Sequence, residues 1–143
     1  MIDSNFATFK SVEILNPFNL KDKIDNKESI VDLKAITENG VVVIIEIQTY
    51  STKNFFERTL YYWSKNYSSV LKKGKGYEEL KPVISINLVN DFLFDKTDNR
   101  MHTCYLLKEK KSNKILTDHI QLHYVELPKF NKKSNIKKNK KRY

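Results

Sequence analysis

From Ser29 to Gln48 two apolar-rich arms flank Asn39-Gly40, one face of each wholly apolar and the other mixed. The stretch reads as two β-strands joined by a tight turn, and Asn-Gly is a strong short-range hairpin signal because both residues tolerate positive φ. Val31, Leu33, Ala35, Val43, Ile45 and Ile47 form an unbroken apolar set. Ile30, Asp32, Lys34, Ile36, Val42, Ile44, Glu46 and Gln48 form a mixed one. Loop length decides how the two arms meet. A two-residue loop sets Asp32 opposite Ile47 and sends Glu46 to the other face. A three-residue loop, Glu38-Asn39-Gly40 with Gly40 as a left-handed bulge, sets Asp32 across from Glu46. The apolar pattern is good in both registers and leaves the two open.

Downstream, Phe56, Leu60, Trp63, Tyr67 and Val70 or Leu71 recur at helical spacing, with Asn54 and Glu57 placed as a capping box. This predicts a helix of about 17 residues ending before Gly74, with its aromatic stripe in the core. Val83 to Val89 reads as a strand that pairs in parallel with the Glu46 strand after the helical crossover. Thr103 to Lys108 and Asp118 to Leu127 read as two more strands, joined by a hairpin around Ser112-Asn113. The expected class is α/β: a mixed sheet with flanking helices.

Two carboxylates in so apolar a hairpin need a partner, because buried acids are paired or bound to metal. Either Asp32 and Glu46 each meet a cation, Lys34 being one candidate, or they share a hard divalent ion such as Mg²⁺. The second arrangement leaves coordination positions for water and a substrate phosphate.

At these residues the chain resembles the PD-(D/E)XK nucleases, in the variant that ends in Gln. The resemblance rests on an ordered set: Asn16-Pro17-Phe18, Asp32-Leu-Lys-Ala35, Ile45-Glu-Ile-Gln48, Arg58 with Tyr62-Trp63, Tyr77 with Leu80 and Pro82-Val83-Ile84, and Val125-Glu-Leu-Pro-Lys-Phe130. That order, over roughly residues 12 to 130, is similar to the transposases, or recombination-promoting nucleases, of this family. The resemblance implies a restriction-endonuclease-like fold and a DNA endonuclease dependent on Mg²⁺ or Mn²⁺. It implies Asp32, Glu46 and the Ile47 carbonyl as metal ligands, and Gln48 in the place of the catalytic lysine. Gln48 is neutral and can only orient by hydrogen bonding, so Lys34 enters the expected catalytic set of Asp32, Glu46, Gln48 and Lys34 as a substitute cation. Arg58 and Tyr62, four apart on the helix, are the candidate substrate-binding residues. The chain is short for the family at both ends, and the competing expectation is a non-catalytic remnant that binds nucleic acid or a protein partner. Cleavage of both DNA strands would call for two active sites, hence an expected homodimer.

Composition narrows the setting. With 143 residues and 40% hydrophobic content, one core is expected. A single cysteine, Cys104, excludes an intrachain disulfide framework, and no apolar run has membrane-spanning length or the form of an export signal. The cytoplasm is the expected compartment. The formal charge of +9 is concentrated at one end. Residues 129–143 hold eight basic residues and no acid, leaving 18 basic against 17 acidic elsewhere. The expected organisation is therefore a domain over 1–130 and a disordered basic tail over 131–143. Such a tail adds salt-dependent phosphate affinity, or is read-through after a frameshift or truncation; the residues leave both open. His119 and His123, four apart on a strand, stand about 13 Å apart along it, too far for one tetrahedral ion. Gly74-Lys-Gly76 lacks the remaining phosphate-loop positions and reads as a turn, and Cys104 reads as a structural thiol.

Overall fold

The computed structural model describes residues 9–14 and 33–130. Along them run β1 (Phe9–Ile14), β2 (Leu33–Thr37), β3 (Val42–Gln48), helix α1 (Phe55–Val70), a 3-10 turn (Tyr77–Glu79), β4 (Val83–Val89), β5 (His102–Leu106) and β6 (Ile120–Glu126). The strands form one mixed sheet in the order β1-β2-β3-β4-β6-β5. Its centre is parallel, β3 with β4 and β4 with β6, and its flanks are antiparallel.

The hairpin adopts the three-residue register. Leu33 pairs with Ile45, Ala35 with Val43 and Ile36 with Val42. Gly40 N–H donates to Thr37 O (2.9 Å), and Thr37 N–H donates to Val41 O (2.9 Å). Thr37 Oγ1 accepts from Val41 N–H at 3.0 Å. Gly40 has φ +81° whereas Asn39 does not reach positive φ, which rules out the two-residue turn that needs both. Asp32 lies outside the described residues, as does the proposed tail.

The two faces of the sheet carry separate cores. On one, Ala35, Val41, Val43 and Ile84 are buried together, with Ile45 and Ile86 packed against them. On the other, α1 covers the sheet over Phe55, Val89, Leu122 and Tyr124. Trp63 Nε1–H donates to Val83 O (2.9 Å), and Tyr67 OH meets His119 Nδ1 (2.9 Å), so α1 is pinned along its length.

Two local expectations are corrected. The buried residues of α1 are Phe55 and Thr59, one position before Phe56 and Leu60, which are 41% and 46% exposed. Thr59 Oγ1 reaches Asn87 Oδ1 (3.3 Å), and this buried polar contact sets the helix rotation that hydrophobicity alone mispredicts. Asn54 is left-handed (φ 65°) and makes no side-chain cap bond, so the capping box with Glu57 does not form. Its carbonyl accepts the Arg58 N–H instead. Strand β1 was not anticipated from the sequence; it lies at the sheet edge with Phe9 and Val12 52% and 65% exposed. The hairpin expected around Ser112-Asn113 is present, with Asn113 at φ 58° and a bridge between Lys108 and Ile115. No helix among the described residues is long and apolar enough to cross a membrane.

Candidate active site

Alternation along β3 puts Glu46 and Gln48 on the α1 side of the sheet, where they are buried (9% and 5% exposed). Glu46 Oε1 accepts two hydrogen bonds, from Gln48 Nε2 (2.8 Å) and from Arg58 Nη2 (2.7 Å). Arg58 comes from the first turn of α1, and its guanidinium lies 5.7 Å from the centre of the Phe55 ring. A charge-assisted bond to a carboxylate this poorly hydrated is stronger than a surface ion pair, and removing either partner leaves a costly unpaired charge.

Behind this row, the parallel register sets Asn87 of β4 beside Glu46. Asn87 is fully buried, and its Nδ2 donates to Ser85 Oγ (3.2 Å) and His123 O (3.1 Å). Neutral amide and hydroxyl groups thus back the carboxylate without competing for its charge. Sequence reasoning did not single out Ser85 or Asn87. Their signal was two polar residues at period two inside the otherwise apolar Val83–Val89.

Lys34 pairs across from Ile44 and lies on the same side of the sheet as Glu46. Lys34, Glu46, Tyr62, Lys65, Asn66 and Ser85 line one open cleft of about 320 Å³. Tyr62 is thereby placed beside the site, 37% exposed. Arg58 is held on Glu46. Val42 N–H and Gln48 O bond to the β4 side (Pro82 O and Asn90 N–H), so backbone alternation turns the Ile47 carbonyl toward the β2 side. The structure therefore brings Glu46, Gln48 and Arg58 into contact, and sets Lys34 and Tyr62 around the adjoining cleft.

The donor set is compatible with a hard divalent cation. Glu46 offers a carboxylate, and Gln48 Oε1 is buried without a hydrogen-bond partner among the described residues, an oxygen suited to a cation or its water. No three His, Cys, Asp or Glu side chains among the described residues could hold a metal together. Asp32 would have to complete such a site.

A second polar cluster sits on the opposite face of the sheet. His102 and His123 stack with ring centroids 5.1 Å apart, and His102 Nε2 lies 2.8 Å from His123 Nδ1. Cys104 Sγ lies 3.7 Å from His123 Nε2. The two neighbours use opposite nitrogens of His123, so they diverge rather than converge on one ion. Burial and the nearby His102 hold His123 below the ordinary imidazole value, while burial pushes the Cys104 thiol up, away from the reactive thiolate. His119 is remote from this pair, bonded to Tyr67.

The Val125–Phe130 motif has a packing role. Glu126 and Lys129 are each 1% exposed and form an ion pair that closes the turn after β6.

A search of curated proteins and a search of solved structures return no significant match. A family model described as PD-(D/E)XK nuclease family transposase matches residues 2–142. With nearly the whole length matched, and a mixed α/β sheet that carries Glu46 and Gln48 on a central strand, the chain belongs to the PD-(D/E)XK nuclease family of transposases.

Proposed function

We propose that this chain is a DNA endonuclease that hydrolyses phosphodiester bonds with Mg²⁺ or Mn²⁺ and serves transposition or recombination in the cytoplasm. The observation that supports it most is the buried Glu46 carboxylate, held by Gln48 and Arg58 in the wall of the cleft that Lys34 and Tyr62 also line. Asp32, Glu46 and the Ile47 carbonyl would hold the ion. The observed register, Leu33 with Ile45, is the three-residue-loop one for which the sequence expectation has Asp32 across from Glu46. The ion would supply Lewis-acid stabilisation and an acidified water. Glu46, oriented by its two donors, fixes the ligand position. Gln48 orients by hydrogen bonding, while Lys34, Arg58 and Tyr62 face the phosphate backbone. Cleavage of both strands would use two copies of the site, as in a homodimer.

The test is nicking of supercoiled DNA by purified protein with Mg²⁺ or Mn²⁺. Wild type should nick, chelation should stop it, and Asp32→Asn and Glu46→Gln should each abolish it with an unchanged circular dichroism spectrum. Gln48→Ala should cost less. A second reading draws on one specific contact: Arg58 already neutralises Glu46, so the fold does not need a metal to carry that charge. Pure protein that binds DNA without metal-dependent cleavage would establish this alternative, a non-catalytic remnant acting as a binding module.

A further inference from the structure

We propose that Arg58 is the working cation of this site, supplying from helix α1 the positive charge that Gln48 cannot supply from β3. The inference rests on the nuclease reading above and adds a role that the sequence left to Lys34. Its basis is geometric. Gln48 Nε2 and Arg58 Nη2 bond the same atom, Glu46 Oε1, at 2.8 and 2.7 Å, so the two nitrogens stand no more than 5.5 Å apart. The guanidinium therefore reaches the surroundings of the Gln48 amide, the place in which the resemblance puts a lysine.

Three features suit Arg58 to that task. A guanidinium stays charged at every working pH and carries five donors in a rigid fork, so binding Glu46 does not exhaust it. Its Nε is buried with no hydrogen-bond partner among the described residues, which leaves an unused donor inside the site. The Phe55 ring face 5.7 Å away stabilises the cation and limits its swing. Lys34, by contrast, sits on the neighbouring strand as a flexible stem with a point charge. A cation on the helix also explains how a neutral Gln48 is compatible with charge development on a phosphate: the charge has changed element while keeping its neighbourhood.

The competing account is that Arg58 only neutralises and holds Glu46. The two separate in Arg58→Gln, studied by steady-state nicking, Mn²⁺ titration calorimetry and thermal melting of the full chain. If Arg58 is the working cation, kcat at saturating Mn²⁺ falls about 100- to 1000-fold. Mn²⁺ affinity is unchanged or tighter, because a repelling charge has gone. Adding Gln48→Lys in the same chain restores roughly 10-fold or more of the loss. If Arg58 only holds Glu46, Mn²⁺ binding weakens, and saturating Mn²⁺ recovers kcat. That result overturns the proposal, as does a larger kcat loss in Lys34→Ala than in Arg58→Gln. Inactive wild type would refute the nuclease reading itself, whereas active wild type with an equally active Arg58→Gln refutes the role of Arg58 alone.

Discussion

Lys129 Nζ lies 2.6 Å from Glu126 Oε2, with both side chains almost wholly excluded from solvent. The other carboxylate oxygen, Glu126 Oε1, accepts the backbone N–H groups of Leu93 (2.9 Å) and Phe94 (3.3 Å). One buried acid thus ties together the end of β6, the helical turn at 127–130 and the loop after β4. Removing one member of a buried pair costs about 3–5 kcal/mol, because the survivor is left charged and unpaired. Lys129→Met is expected to lose that much in urea unfolding. Adding Glu126→Gln should recover part of it, since the amide oxygen still accepts from Leu93 and Phe94 without a buried charge. A Lys129→Met protein as stable as wild type would show that the pair is dispensable.

His123 gives the fold a pH dependence. Burial, then the charge of His102, keeps its folded pKa below the ordinary value of 6.5. The unfolded chain therefore takes up the proton more readily, and stability falls as pH drops below about 6.5. Melting temperature should decline between about pH 7.5 and about pH 5.5, and His123→Gln should flatten that decline. An unchanged slope in the variant would assign the effect to other groups.

Gly40 sits at φ +81°, and a Cβ there would meet only the flexible Lys81 side chain, at 3.3 Å. The cost of Gly40→Ala is therefore mainly that of left-handed backbone, about 1–2 kcal/mol. Gly40→Asn should cost less, since Asn tolerates that conformation. Equal losses in urea titration would point to the Lys81 contact instead.

Deleting residues 131–143 removes seven basic residues and no acid. Affinity for duplex DNA should fall, and the dependence of log K on log salt should flatten in proportion to the number of phosphates the segment neutralises. An unaltered salt slope would take this segment out of DNA binding.

The sequence made some of these features legible and hid others for identifiable reasons. Val83–Val89 was readable to the residue, because a run rich in Val and Ile and broken only by Ser85 and Asn87 suits a parallel strand buried on both faces. The Glu38-Asn39-Gly40 loop was readable as an alternative but could not be chosen, since the apolar pattern is good in either register. The Glu46–Arg58 contact joins a strand to a helix, and Cys104 meets His123 across two strands. Both depend on tertiary register that no local pattern encodes. Asn54 carried the right residue type for a cap and adopted another geometry, which shows propensity yielding to the path of the chain into α1.

The seam at β3 also has a kinetic consequence. On one side β3 meets β2 through a three-residue loop, a closure that is entropically cheap; on the other it meets β4 only after the whole α1 crossover has been laid down. The expected order of folding is hairpin first and parallel centre later. In pulse-labelled hydrogen exchange the Val43 amide, which faces β2, should be protected before the Ile86 amide, which faces β3; the reverse order would refute it. Glu46 and Gln48 then arrive on an early unit and Arg58 on a later one. The carboxylate meets its arginine only when the chain is nearly folded, so partly folded forms lack the assembled site.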